Sequence, residues 1–341
     1  MADRRRTDEE TVQGLREEGY TVVKGGAVHG VSRPRPAAVG TLWLLTSGST
    51  GRPKRVRYTF DDLITVRAPQ PPHRWLMAYS PGTYAWWQVM TLALTQPGQD
   101  VVALDPHERD RWPEIASREG VTAVSGTPTF LWRAVLHGWE TLRRLPLKQI
   151  SMGGEPVSQS LLDRLAEACP QARILWAYGS TETGLPVIVK DGRAGIPSSW
   201  LDRRAPGRRA LRITGGELLL ESAPGSGDFV GTGDRAEVVG DRVMILGRVH
   251  GDEINVGGSK VAASAVRKVL LDHESVVWAR VSGRRVPVMG HGVVAEVVVR
   301  EPLPEAELRQ WCRERLPDYG VPMRISFREE IPETVSGKSD G

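Results

Sequence analysis

Between residues 75 and 178, short apolar runs alternate with stretches whose apolar residues recur every three to four positions. The short runs predict strands at Trp75–Tyr79, Asp100–Leu104, Val121–Ser125, Gln149–Met152 and Arg173–Tyr178. The helical pattern falls between them, near Trp86–Leu94, Trp112–Arg118, Phe130–His137 and Gln159–Ala168. Strands and helices in alternation, with short connections, imply a mainly parallel sheet covered by helices. Upstream, residues 1–40 are polar, then rich in Gly and Pro, and weakly patterned. Thr41–Thr46 reads as a buried strand running into a Gly/Ser/Thr loop, and Thr59 with Asp62 reads as a helix cap with its reciprocal acid.

The texture changes after Gly184. Residues 190–210 are rich in Gly, Pro and Arg and predict an exposed connection. Strands are expected at Glu217–Glu221, Ala236–Val239 and Val243–Leu246, the last two joined by the hairpin dipeptide Gly240-Asp241. A smaller α+β unit then follows: a helix at Ala263–Leu271, strands at Val276–Val281 and Val293–Val299, and a helix at Glu305–Leu316. The expected fold is α/β, with a large N-terminal domain over residues 1–251 and a small mobile C-terminal domain over 252–341, joined by a hinge near Asp252. A length of 341 residues suits two such domains better than one core.

Composition narrows the function classes. With 40% hydrophobic and 25% charged residues the chain reads as a soluble globular protein, and no stretch approaches the ~18 apolar residues of a membrane span. The N-terminus is charged with no apolar run after it, so no signal peptide is expected. Two distant cysteines, Cys169 and Cys312, suggest neither a disulfide framework nor a zinc site, and a reduced, cytoplasmic setting follows. The net charge of +4 suits an anionic ligand. Arg203, Arg204, Arg208, Arg209 and Arg212 are the main basic run; it reads as a solvated loop rather than a nucleic-acid surface.

The most specific string is Thr46-Ser-Gly-Ser-Thr-Gly-Arg-Pro-Lys54. Its small residues let backbone N–H groups approach a polyphosphate, its hydroxyls donate to phosphate oxygens, and Lys54 adds positive charge. It lacks the G-x-x-x-x-G-K-[ST] order of a Walker loop. Further along stand Gly153-Gly-Glu-Pro156, Tyr178-Gly-Ser-Thr-Glu182, Thr232-Gly-Asp234, Gly247-Arg248, Asp252-Glu-Ile-Asn-Val-Gly-Gly258 and Pro332-Glu-Thr-Val-Ser-Gly-Lys338. Each alone has a plain structural reading. Tyr178 fits a core position, Glu182 a solvated face, Asp234 a turn and Lys338 a chain end.

Together and in this order, these strings resemble the signature motifs of the adenylate-forming superfamily, which includes acyl-CoA synthetases, aryl-acid ligases, peptide-synthetase adenylation domains and firefly luciferase. The resemblance runs from residue 41 to near the end of the chain. It implies a phosphate loop made by Thr46, Ser47, Gly48, Ser49, Thr50, Gly51 and Lys54. It implies that Gly153, Gly154, Glu155 and Pro156 border the adenine, with Tyr178, Gly179 and Ser180 beside it and Tyr178 stacked on the ring. Thr181 would contact the α-phosphate, Glu182 would help hold Mg²⁺, Asp234 and Arg248 would meet the ribose, Asp252 would be the hinge, and Lys338 the adenylation catalyst. The implied reaction joins a carboxylic acid to AMP from ATP and passes the acyl group to a thiol, either CoA or the phosphopantetheine of an acyl-carrier protein. In the second step Lys338 would leave and Gly257-Gly258 would border the thiol channel. Two alternatives stand beside it: a ligase that makes an amide directly from the adenylate, and a non-catalytic relative that binds nucleotide or a carrier protein. No nucleic-acid or membrane partner is expected.

Several positions depart from the family pattern. Only 45 residues precede Thr46, so the resemblance implies an N-terminally shortened member. Arg55 and Phe60 stand where the family commonly has Gly and His, and the Arg248-to-Asp252 spacing is one residue longer than usual. The implied acid pocket has Tyr84, Ala85, Trp86, Trp87 and Met152 on its wall. Ala85 falls where amino-acid-activating relatives carry an Asp for the substrate ammonium, and no Asp or Glu occurs between Arg74 and Asp100. The expected substrate is a carboxylic acid without an α-ammonium, aryl or short and compact.

Overall fold

A computed structural model describes residues 22–24, 27–29, 41–46, 54–181, 184–204, 208–249, 253–256, 259–286 and 290–332. Its centre is a six-stranded sheet in the order Gly184–Val189, Arg173–Ser180, Gln149–Gly153, Ala123–Gly126, His73–Met77, Gln99–Ala103. All neighbours are parallel except the first pair, so the mainly parallel sheet read from the alternation is present. The chain order reverses between His73–Met77 and Ala123–Gly126. A doubly wound sheet opens a crevice at the carboxyl ends of its strands beside such a reversal. At that point the Tyr79 hydroxyl donates to the Gly126 carbonyl at 2.8 Å. Burial pushes that hydroxyl up to about 12, so it keeps its proton.

Side-chain alternation explains how both sheet faces are covered. Trp75, Met77 and Ala123 point to one face, where the helix Tyr84–Thr95 lays Val89 and Leu92 on them. Leu76, Val124 and Ile150 belong to the other, larger core, built with Trp112–Arg118, Pro128–His137 and Gln159–Ala168. Ala123–Gly126 is buried along its whole length, as a central parallel strand covered on both faces must be. Local chemistry starts the helices. The Thr83, Thr127 and Ser158 side chains accept from Trp86, Phe130 and Leu161 amides, and Pro128 takes the first-turn position that needs no N–H. The reciprocal cap between Thr59 and Asp62 forms as expected, over the short helix Phe60–Leu63. Trp112 stacks on Phe130 at 5.2 Å and locks two helices together.

An antiparallel five-stranded sheet follows, in the order Ile196–Pro197, Arg242–Arg248, Phe229–Val239, Glu217–Glu221, Leu211–Thr214. The hairpin at Gly240-Asp241 is present, with Val239 opposite Arg242 and Gly240 at φ 60°. Leu218 and Leu220 alternate into the large core with Leu211, Ala236 and Val243. The segment expected to be an exposed connection is exposed at 190–193 and 202–204 but pinned in between. Ala194 and Ile196 are buried, Trp176 Nε1 donates to the Arg193 carbonyl at 3.0 Å, and Arg193 makes two 2.7 Å bonds to Asp241. The buried Arg242 donates to Asp191 at 2.7 Å and to the Ala194 carbonyl at 2.9 Å. Gly195 sits at φ 73°, and a Cβ there would meet Met244 Sδ at 2.6 Å, so only glycine fits. Arg203, Arg204 and Arg208 are exposed, as composition suggested; the staples at 191–195 are Arg193 and Arg242.

A second core gathers Ile254, Val266, Leu270, Ala279, Val297, Leu308 and Ile325. It lies between the helices Ala263–Leu271 and Glu305–Arg313 and a sheet made by Ser259–Ala262, Glu253–Val256, Gly290–Val299, Val276–Val286 and Arg324–Phe327. Val277, Trp278, Val298 and Ile331 join the large core instead, so this unit is packed onto the rest of the chain. Two hairpins stand apart, Val22–Lys24 with Ala27–His29, and Thr41–Thr46 with Lys54–Thr59. The strand expected at Thr41–Thr46 is present and only partly buried: Leu44 is buried, Trp43 is 42% exposed, and its only described strand partner is Lys54–Thr59.

Glu221 is 1% exposed and accepts from the Gly227 amide at 2.8 Å and the Ala210 amide at 3.1 Å. These backbone donors hold its carboxyl below the usual carboxylate range. A depressed carboxylate contributes stability above its unfolded pKa and loses it as pH falls through the folded value. Glu221→Gln is therefore expected to lower the melting temperature at pH 7 and to narrow the gap to wild type as pH falls below about 4. Melting curves across pH 3–7 decide it, and a gap that does not depend on pH counts against the carboxylate.

Candidate functional site

The carboxyl ends of the parallel strands bring three of the sequence motifs together. Gly153 closes the strand Gln149–Gly153, and Gly154 follows at φ 88°. Glu155 reaches sideways and its carboxylate accepts from the Thr129 amide at 2.9 Å, at the first turn of Pro128–His137, where a helix favours negative charge. That leaves the Gly153-Gly154 backbone without side chains beside Tyr178 on the next strand, where the register sets Gly153 opposite Ala177.

Tyr178 lies 56 residues before Asp234 in the chain, yet its hydroxyl donates to Asp234 Oδ2 at 2.7 Å. Burial, reinforced by the Asp234 charge, pushes the Tyr178 hydroxyl far above the usual tyrosine range, so it remains a donor. Asp234 stands opposite Arg248 in the antiparallel ladder, and Arg248 Nη1 lies 3.4 Å from Asp234 Oδ1. The Arg248 side chain is 61% exposed and that of Asp234 19% exposed, so the pair presents a guanidinium to solvent with a carboxylate beneath it. An ion pair this open contributes about 0–1 kcal/mol to stability. Its value lies in offering a cation and an acceptor side by side.

The turn that aims Asp234 is itself held. Gly233 takes φ 76° and its amide donates to Glu217 Oε1 at 2.9 Å. The Thr232 hydroxyl donates to the Leu218 carbonyl at 2.7 Å and accepts from the Asp234 amide at 3.2 Å. Glu217 carries no motif, and sequence reasoning missed it. The only signal was an acid directly after Gly215-Gly216 in a strand facing the Thr232-Gly233-Asp234 string.

Beyond Tyr178 the chain turns at Thr181 and returns from Gly184. The carbonyl of Thr181 accepts from the Tyr58 hydroxyl. Tyr58 was also missed, although the alternation Arg55, Val56, Arg57, Tyr58 sets it on the covered side of its strand. Across from it, the helix Tyr84–Thr95 presents Tyr84, Ala85, Trp86 and Trp87 in its first turn, all half-buried. Trp86 packs on the Trp75–Val89 cluster and meets Trp87 edge-on at 4.8 Å, while Trp87 is not among that cluster's residues. Met152, expected on a pocket wall, has its side chain inside the large core. Backbone alternation accounts for it, since Ser151 and Gly153 take the opposite face.

Thr46 and Lys54 face each other at the end of their hairpin. Ser47, Gly48, Ser49, Thr50, Gly51, Glu182, Asp252, Gly257, Gly258 and Lys338 lie outside the described residues, as do the side chains of Thr46, Lys54 and Ser180. Among the described residues no group of three or more His, Cys, Asp or Glu is placed to hold a metal ion. Cys169 and Cys312 are buried free thiols, and no described helix is long and apolar enough to cross a membrane.

The family model for AMP-binding enzymes matches residues 11–210, and that for the AMP-binding enzyme C-terminal domain matches residues 265–338. The chain belongs to the AMP-binding enzyme family. Among its relatives, an acetyl-coenzyme A synthetase of Gemmatimonas aurantiaca is 26% identical over 86% of this chain. The chain spans only 54% of that enzyme's length. A solved Escherichia coli MenE variant with bound OSB-AMS superposes with a TM-score of 0.67 at 21% identity, over 90% of this chain and 68% of that one. The amide bond synthetase McbA from Marinactinospora thermotolerans gives 0.64 at 24% identity, over 91% and 70%. These structural likenesses establish the AMP-binding enzyme fold.

The carboxylate under Tyr178 and Arg248 is the group to remove first. Asp234→Ala is expected to weaken AMP binding by about 1–3 kcal/mol, the range for a hydrogen bond to a charged group. Calorimetric titration with AMP measures it, and unchanged affinity in a folded variant would move the nucleotide elsewhere.

Proposed function

We propose that the chain activates a carboxylic acid with ATP, forming acyl-AMP and pyrophosphate, and passes the acyl group to a thiol. One observation carries the reading. Tyr178, Asp234 and Arg248, drawn from separate motifs and two sheets, meet at the carboxyl end of the parallel sheet next to the bare Gly153-Gly154 backbone. The donor set fits a nucleoside monophosphate. Backbone and the Tyr178 ring suit a purine, a carboxylate suits sugar hydroxyls, and an exposed guanidinium supplies positive charge nearby.

In this reading, Gly153, Gly154, Glu155, Pro156, Tyr178, Gly179 and Ser180 border the adenine, and Asp234 and Arg248 the ribose. The segment Thr46, Ser47, Gly48, Ser49, Thr50, Gly51 and Lys54 holds the phosphates, with Thr181 at the α-phosphate. An oxygen of the acid attacks the α-phosphorus and pyrophosphate leaves with the bonding pair. Positioning and electrostatics do most of the work in such a transfer. Mg²⁺, held through Glu182, would neutralise phosphate charge. The domain division is proposed at Asp252, with residues 1–251 as the nucleotide and acid site and 252–341 as the mobile unit. The separate core around Val266, Leu270 and Leu308 supports it. Lys338 is then the cation that serves the first step only. The acceptor is CoA or a carrier-bound phosphopantetheine; an amine acceptor is the second reading, favoured by the likeness to an amide bond synthetase.

Lys338→Ala is expected to lose pyrophosphate exchange by at least 100-fold while retaining much of its rate with preformed acyl-AMP and thiol, since charge stabilisation at the phosphates is typically worth about that much. Parallel loss of both half-reactions would contradict a lysine used in one step.

The first turn of Tyr84–Thr95 contains no acidic residue, and Ala85 cannot pair with an ammonium. A buried ammonium without a partner costs several kcal/mol. The preferred substrate is therefore expected to be an aryl or short compact acid without an α-amino group. A pyrophosphate-exchange panel of aryl, short, long-chain and amino acids at equal concentration ranks them. Strongest exchange with a proteinogenic amino acid refutes the assignment, and strongest exchange with a long fatty acid refutes its size limit.

A further inference from the structure

The ladder between Arg173–Ser180 and Gly184–Val189 is irregular next to the turn that joins them. Ser180 pairs with Gly184, but the ladder then slips, with a register shift between Gly184 and Val187. A one-residue slip disrupts the ladder locally. Two tyrosines from other elements reach the turn. Tyr58, on the strand that leads away from the Gly/Ser/Thr loop, donates its hydroxyl to the Thr181 carbonyl across 123 positions of sequence. Tyr84, at the start of its helix, lies over the far end of the turn: a Cβ on Gly184, which sits at φ 74°, would meet the Tyr84 hydroxyl at 3.4 Å. The two rings lie against each other, with centroids 5.4 Å apart and planes tilted by 36°.

We propose that Tyr58 is a positioning residue for the activation step, its hydroxyl fixing the Thr181 peptide so that the Thr181 side chain is aimed at the reacting phosphate. The inference rests on the function proposed above. A carbonyl held from one side fixes its peptide plane, and with it the direction in which the Thr181 side chain leaves the backbone. Tyr84 supplies the platform on which the Tyr58 ring lies. Burial pushes the Tyr84 hydroxyl well above the usual range, so no tyrosinate forms beside the turn. The arrangement also couples two parts of the site: Tyr58 sits four residues after Lys54, so the strand leaving the phosphate loop and the turn carrying Thr181 move as one.

Tyr58→Phe keeps the ring on Tyr84 and removes only the donor. It is expected to lower kcat for pyrophosphate exchange about tenfold, because small misplacements of a reacting group cost 10- to 100-fold. KM for ATP should stay within about twofold, and the melting temperature should be nearly unchanged. Backbone hydrogen exchange in residues 178–186 should speed up in the same variant. Tyr58→Leu, which also loses the ring contact, should add a loss of thermal stability. A Tyr58→Phe enzyme with wild-type exchange rate, or one whose rate falls only in step with its melting temperature, overturns the inference. A wild-type chain that exchanges pyrophosphate with no acid tested refutes the adenylation reading; unchanged hydrogen exchange at 178–186 in Tyr58→Phe then refutes the tether separately.

Discussion

The hydrogen bond from Tyr178 to Asp234 joins the carboxyl edge of the parallel sheet to the antiparallel sheet, and the site exists only because those two edges meet. Its strength depends on protonation. Burial keeps the Tyr178 proton in place, so a hydroxyl donates to a carboxylate, and such charge-assisted bonds are about twice as strong as neutral ones. The carboxylate is aimed by the glycine turn at Gly233, which Glu217 and Thr232 hold from behind. The ladder then delivers Arg248 opposite Asp234 without further design. The same contacts that seal the two sheets together thus assemble a cation, an acceptor and an aromatic ring around one open backbone.

Elsewhere the chain uses charged groups as fasteners more than as surface. Arg242 and Arg193 tie the 191–195 segment to the hairpin at Gly240-Asp241. Glu221 gathers amides from two loops, and Glu296 bridges Arg280 and Arg328 in the C-terminal sheet. Arg193 and Asp241 are exposed, whereas Arg242 and Glu221 are buried, and buried charges are costly unless every polar atom finds a partner, so these two specify one arrangement of the loops. The hairpin Thr41–Thr46 with Lys54–Thr59 pairs with no other strand among the described residues. An isolated two-stranded sheet is marginal by itself. Tyr58 ties it to Tyr84 and Thr181, which gives that tyrosine a place in both the fold and the site.

The regular elements were legible because periodicity reports burial directly. Trp112–Arg118, Gln159–Ala168 and Ala263–Leu271 fall where the 3.6-residue pattern puts them, and Gly240-Asp241 turns the chain where a two-residue hairpin needs positive φ. Several strand ends were misplaced, by as much as the seven residues between Ala236 and the observed start at Phe229, since a ladder ends where its partner ends and the partner is remote in sequence. Within the stretch before residue 210 read as exposed, Ala194, Gly195 and Ile196 are buried for a related reason. Composition cannot distinguish an arginine in water from one whose donors meet carbonyls and a carboxylate, as with Arg242.

For the site, local strings already announced backbone that must lie bare, as at Gly153-Gly154, and polar types suited to phosphate and sugar, as at Thr181 and Asp234. These depend on residue chemistry and near neighbours, which a sequence carries in full. What only the folded chain decided is which of those groups touch. Tyr178 finds Asp234, Asp234 faces Arg248, Glu217 holds Gly233, Tyr58 holds Thr181, and Met152 turns into the core. Each of those pairings spans 14 to 123 positions or depends on which face of a strand is covered. No local pattern encodes such a distance, because it is set by how sheets stack and by which crossover returns the chain to which edge.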